Sequence, residues 1–175
     1  MPNFVAIPVP GSARARLIDA GIGRFQELGY ERASVGDIAA DAGVTTGALY
    51  HHFKNKLGLY VVIRDEMETR MTERMEGAAA ALGGSGRLAI RAGLDVAFDA
   101  AVRFGVTRIL AEPRPDRKPD VIANLLVELL PGTARPAGAM LAAAWRAALL
   151  SVAEGLPPAA AKDGMHWVLN APTAA

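Results

Sequence analysis

The chain has 175 residues, 51% of them apolar, no cysteine and a net charge of +1. Without cysteine there is no disulfide, thiolate metal site or cysteine nucleophile, which fits a cytoplasmic location. The near-neutral charge gives no polybasic field that would announce nucleic acid by itself.

The length suits a small module beside a larger one. The apolar share is high for a monomer and places part of the surface against another chain. Residues 1–56 hold six Lys/Arg against five Asp/Glu, and the remainder thirteen against thirteen.

The first twelve residues, MPNFVAIPVPGS, have no basic start and are interrupted by Pro8 and Pro10, so they read as a flexible arm rather than a signal peptide. From Ala13 to Leu28, the residues Leu17, Ile18, Gly21, Phe25 and Leu28 form one stripe of an amphipathic helix that stops at Gly29. Ser34 caps a short helix through Ile38 and Ala39 to Ala42, with Asp37 near its positive end. Gly43 supplies the left-handed stop, and Thr45 caps the next helix, which ends about His52.

A longer helix is expected from Lys56 to Glu76, with Met67, Met71 and Met75 on one face. Gly83–Gly86 breaks the chain before a stripe at Leu88, Ala92, Val96 and Ala100, and a further helix is expected over Val102–Ala111. Glu112–Pro119 (EPRPDRKP) is a loop no helix crosses, followed by a helix over Asp120–Leu130.

Pro136–Glu154 is apolar almost all round, so a helix buried on more than one side is expected; Arg146 makes it a poor membrane span. The last helix is placed at Ala159–Leu169, and no alternating strand pattern is present. The expected fold class is all-α.

A helix-turn-helix needs a small residue where its helices touch, a residue tolerating positive φ in the turn, and apolar residues locking the pair. Ala39, Gly43 and the set Ile38, Val44 and Leu49 meet these needs. Beyond this pattern, Leu17–Tyr60 closely resembles the N-terminal domain of the tetracycline-repressor (TetR) family. The resemblance is carried by Phe25…Gly29-Tyr30, by Ile38-Ala39…Ala42-Gly43-Val44, and above all by Leu49-Tyr50-His51-His52-Phe53-Lys54-Asn55-Lys56.

It implies a three-helix DNA-binding domain over 1–56 and a helical effector-binding and dimerisation domain over 57–175. It also implies a ligand-responsive repressor that binds an inverted-repeat operator as a homodimer and is released by a small apolar or amphipathic effector. The dimer would form through about 136–169. No membrane, metal or cofactor is expected.

The second motif helix of such a pair enters the major groove. Thr46, Gly47, Ala48 and His51 are the base-facing candidates: the small residues permit close approach, Ala48 suits a thymine methyl, and Thr46 can donate or accept. Ser34, Thr45, Tyr50, His52, Lys54 and Lys56 are the phosphate candidates. The Lys56 ammonium and the following helix N-terminus are expected to hold one phosphate together, the part that the resemblance implies for this lysine and Tyr50.

Gly36 stands about where some relatives carry a base-reading arginine, so phosphate grip and DNA shape should dominate, with Arg14 and Arg16 of the arm as compensating contacts. The resemblance also favours a pocket walled by Met67, Met71, Phe98, Phe104 and Trp145, with ordinary core as the competing reading.

Several other features read as structural. His51 and His52 point about 100° apart on a helix and cannot easily share an ion. His166 has only Asp163 at helical spacing, and Glu66, Glu68, Arg70, Glu73 and Arg74 read as a solvated face. Gly84-Ser85-Gly86 lacks the spacing of a nucleophile elbow, and neither a P-loop nor a dinucleotide fingerprint appears. The competing functions are a ligand-binding or dimerisation protein whose helix-turn-helix no longer meets DNA, and a small helical enzyme using His166 and nearby carboxylates. The trimmed region of a domain short for the family is placed at Pro113–Pro119.

Overall fold

Ser12 starts the first helix by accepting the Ala15 N–H at 3.2 Å. The chain is described here from a computed structural model over residues 11–169, so the expected arm lies outside the described residues except for Gly11 and Ser12. The fold is all-α, and among the described residues there is no strand. The chain divides into two units between Ile63 and Arg64.

The first unit is built on α1 (Ala13–Arg32), α2 (Val35–Asp41), α3 (Thr46–Phe53) and the start of α4 (Lys56–Ala80). The stop expected at Gly29 is a kink instead: its φ of 78° interrupts the helix, which resumes for Tyr30–Arg32. Leu17, Phe25, Ile38, Leu49 and Leu59 are fully buried, and Tyr60 and Ile63 nearly so. Phe25 and Tyr30 each set an edge against the Tyr60 ring at 5.0 Å. Gly21 lets α1 approach α4 closely, since a Cβ there would lie 2.9 Å from Ile63 Cδ1.

In the second unit, α4 continues to Ala80, one turn beyond the expected end. It is followed by α5 (Arg87–Arg103), α6 (Thr107–Ala111), α7 (Val121–Leu129), a 3₁₀ turn (Gly132–Ala134), α8 (Ala137–Ala153) and α9 (Pro158–Leu169). The helix expected over Val102–Ala111 is split, because Gly105 adopts φ 64° between α5 and α6. Helix α8 is central, touching α5, α6, α7 and α9. It nears α7 at Gly138, where a Cβ would lie 2.4 Å from Val127 Cγ2. Its Ala142, Trp145 and Leu149 are buried, but Ala139, Met140, Ala143 and Ala147 are exposed. The expected burial on several sides is thus not met within one chain.

The expectation of a solvated charged face on α4 fails at Glu68, which is 2% exposed. Glu66, Arg70 and Glu73 are exposed as expected, with Arg70 Nε 2.8 Å from Glu66 Oε1. Glu68 follows Met67 on the inward side, where Oε1 accepts from Arg64 Nε at 2.7 Å and Oε2 from Arg114 Nη1 at 2.5 Å. Arg64, itself 1% exposed, donates to the carbonyls of Ile109, Leu110 and Glu112 at the end of α6. Arg114 also pairs with Asp65 at 2.5 Å and Asp116 at 2.8 Å, which fastens the loop after α6 to α4. The Arg114 guanidinium holds the Asp116 carboxyl at about 2, below its usual 3.8, against the opposing effect of burial.

Candidate nucleic-acid interface

Two hydroxyl caps aim the short helices of the first unit. Ser34 Oγ accepts the Asp37 N–H at 3.1 Å and donates to Asp37 Oδ2 at 2.7 Å, closing a box at the start of α2. Thr45 Oγ1 accepts the Ala48 N–H at 3.2 Å at the start of α3, and Gly43 makes the turn between them at φ 62°. The Val44 N–H returns to the Ala39 carbonyl at 3.0 Å, so the small residue expected at the helix contact is where the turn closes.

Leu49 and Phe53, on one face of α3, are buried at 0% and 5% exposure. That burial turns Thr46, Gly47, Tyr50 and His51 outward, while Ala48 is half-buried and His52 exposed. Thr46, Gly47, Tyr50 and His51 follow the i, i+1, i+4, i+5 spacing of one helix face. His51 and His52 meet edge to face at 5.1 Å. Lys54 ends α3 with φ 68° and ψ −42°, unusual for a side chain other than glycine, and is exposed. Ser34 and Thr45 are also exposed in this unit.

Lys56 departs from expectation. Its ammonium donates to the carbonyls of Tyr30 at 2.8 Å, Glu31 at 3.2 Å and Ala33 at 3.2 Å, and lies 4.4 Å from the centroid of the Tyr30 ring. Its three N–H donors are thus engaged on the carbonyl-rich end of α1, which attracts a cation as a phosphate would. A phosphate contact of this ammonium would have to replace one of these carbonyls. Asn55 instead prepares the start of α4, its Oδ1 accepting the Gly58 N–H at 2.8 Å.

Arg14 and Arg16, expected as compensating contacts of the arm, lie within the first turn of α1, the helix expected from Ala13. Arg16 donates to the Ala42 carbonyl at 2.9 Å and to Gly11 at 2.8 Å, while Arg14 lies over the Phe53 ring at 5.5 Å. The sequence reading missed the Arg24–Asp41 pair, whose contacts of 2.5 and 3.0 Å tie α1 to α2 and lower the Asp41 carboxyl pKa. Neither residue stands in a motif, and their separation of 17 positions gives no local signal. Asn55 was legible in principle, since asparagine ahead of an amphipathic helix is an N-cap signal.

Of the expected pocket walls in the second unit, Met67, Met71, Phe98 and Trp145 are buried core. Phe104 is only half-buried and lies under the guanidinium groups of Arg74 at 5.1 Å and Arg103 at 5.4 Å. Trp145 is 0% exposed and its indole Nε1 has no hydrogen-bond partner among the described residues.

Residues 17–63 match the family model described as bacterial regulatory proteins, tetR family. The chain is 39% identical to the A-factor receptor protein of Streptomyces griseus over 62 residues, 35% of this chain and 22% of that protein. It spans less than a third of the length of the first curated relatives it matches, at 22%, 28% and 31%.

Among solved structures, the fatty acid degradation regulator FadR of Bacillus halodurans superposes with a TM-score of 0.66 at 17% identity, covering 91% of this chain and 99% of that one. The transcriptional regulator LfrR of Mycobacterium smegmatis, in complex with proflavine, does so at 0.59 and 19% identity, covering 93% and 98%. At these identities the likeness is one of fold. The matched segment contains both caps, the glycine turn and the outward face of α3, and on these grounds residues 17–63 form a DNA-binding domain like that of the bacterial regulatory proteins of the tetR family.

Proposed function

We propose that this protein is a cytoplasmic, ligand-responsive transcriptional repressor that binds an inverted-repeat operator as a homodimer and has no enzymatic activity. The observation that carries the reading is the outward face of α3, where Thr46, Gly47 and His51 are exposed while Leu49 and Phe53 anchor the helix from behind. In this reading Thr46, Gly47, Ala48 and His51 meet base edges, and Ser34, Thr45, Tyr50, His52 and Lys54 lie along phosphates. Lys56 serves as the brace that holds the end of α1.

The dimer forms through α8 and α9. Met140 at 73% exposure, Trp167 at 78% and Val168 at 54% are large apolar side chains on these helices that a partner chain would cover. No described helix is long and apolar enough to cross a membrane. The effector acts on the second unit, a reading supported by the orphan Trp145 donor, which a ligand or a repacked core would satisfy. The proflavine complex of LfrR is a precedent for a bound small molecule on this fold.

The test is a gel-shift series with DNA from upstream of the protein's own gene, at fixed salt, against competitor DNA. Preference for the upstream fragment is expected, and replacing Thr46 or His51 should change the preference among operators more than the raw affinity. No preference over competitor would remove the regulator reading.

A further inference from the structure

The second unit contains an apolar cleft of about 390 Å³, within the range of about 300–1,000 Å³ usual for small-molecule sites. Ile90, Leu130, Leu141 and Leu169 supply apolar walls, and two cations, Arg87 and Arg91, also line it. None of the five walls expected from the sequence lies here, and among the described residues no carboxylate lines the cleft.

The two arginines stand one helical turn apart, a spacing at which like charges repel. Arg87 is also the first residue of α5, whose first turn carries no acid and whose cap residue, Gly86, offers no side chain. A cation is disfavoured at that end of a helix. Arg87 is exposed and has no ion pair among the described residues. Arg91 is half-buried, with Nη2 3.5 Å from His166 Nδ1, and His166 Nε2 is in turn 2.5 Å from Asp95 Oδ1.

We propose that this cleft binds an amphipathic organic anion, its apolar body against Ile90, Leu130, Leu141 and Leu169 and its anionic head on Arg87, with Arg91 beside it. A negative head on Arg87 offsets the mismatch of that cation with the helix dipole, whereas a neutral or cationic ligand of the same length does not. The inference rests on reading the second unit as the effector unit and gives that effector a charge and a place.

The test uses the full-length protein, with decanoate and decyltrimethylammonium titrated by calorimetry in the absence of DNA. Decanoate is expected to bind saturably, and the cation more weakly by about tenfold, the scale of one charge-assisted hydrogen bond. Arg87→Glu, an exposed change that leaves the core intact, should weaken decanoate by at least a similar factor, and Arg87→Lys should restore much of it. Ala137→Trp, in the cleft lining, should block decanoate without altering the helical circular dichroism.

Equal binding of the two ions, or decanoate binding indifferent to Arg87→Glu, overturns the proposal. So does absence of decanoate binding together with a fall in sedimentation mass for Ala137→Trp, which would make a second copy of the chain the occupant. Operator affinity is measured separately with and without decanoate. Intact, Arg87-dependent binding that leaves operator affinity unchanged supports the cleft and counts against the regulatory reading alone.

Discussion

Replacing Lys56 with methionine separates bracing from DNA contact. The ammonium holds three carbonyls at 2.8, 3.2 and 3.2 Å at the end of α1. Hydrogen bonds to a charged group contribute about 1.5–3 kcal/mol when water is excluded. Lys56 is only half-buried and water can take over part of its work, so about 2 kcal/mol is a reasonable cost for the set. Methionine keeps an apolar stem in place, so little packing is lost.

With a urea slope of about 2 kcal/mol per molar, the unfolding midpoint should fall by about 1 M. The assay is urea unfolding followed by circular dichroism, paired with DNA-binding anisotropy at several salt concentrations where both proteins remain folded. The expected result is a lower midpoint and an unchanged salt slope. An unchanged midpoint with a slope smaller by about one would return the ammonium to a phosphate and refute the reasoning.

Gly36→Arg should raise DNA affinity and steepen the salt dependence by about one, because a Cβ there meets only Ser34 Oγ at 3.8 Å and the position is exposed. An unchanged salt dependence would mean that the start of α2 does not face DNA. Lys54→Gly should stabilise the protein by about 1 kcal/mol by relieving its positive φ, yet weaken DNA binding; thermal unfolding and anisotropy should therefore move in opposite directions. Gly58→Ala puts a Cβ 2.0 Å from the Phe53 carbonyl oxygen and should cost about 3 kcal/mol or more, measured as a lower unfolding midpoint. Asp116, ionised more readily in the folded chain than its ordinary 3.8, adds stability that is fully present above that value and is lost as pH falls toward about 2. The difference in midpoint between the wild type and Asp116→Asn should therefore close across that range, and a constant difference would exclude the Arg114 pair as its source.

What the sequence revealed was local. The two caps at Ser34 and Thr45, the glycine turn at Gly43 and the stripe carrying Leu49 depend on residues within four positions of one another, and each stands where it was expected. The break between α5 and α6 was harder to place, because Val102–Ala111 is apolar on both sides of Gly105 and its periodicity does not register a positive φ. The contacts that the linear pattern did not foresee at Lys56, Arg14, Arg16 and Glu68 share one cause. Each charge has a partner 23 or more positions away, or a ring or buried group from another element, and a linear pattern assigns such a charge to solvent or to DNA by default. The cleft at Arg87 was equally hidden, since its walls come from α5, α8, α9 and the turn after α7.

The buried charges of the second unit bear on how that unit can change shape. Removing one partner from a buried pair costs about 3–5 kcal/mol, while a matched apolar replacement of the whole set is often neutral, so such a set contributes more to geometry than to net stability. Here Glu68 on α4 meets Arg114 from the loop after α6, and Arg64 one turn earlier meets the last carbonyls of α6. Arg146 from α8 completes the group, 2.7 Å from Asp120 at the start of α7 and donating to Leu110 at 3.2 Å. Sliding α4 against α6 by a fraction of a turn would leave several of these charges buried without partners, which no gradual motion can do cheaply. The second unit is therefore suited to discrete arrangements of α4 rather than a continuum, and a ligand acting there biases one arrangement only through a difference in affinity between them.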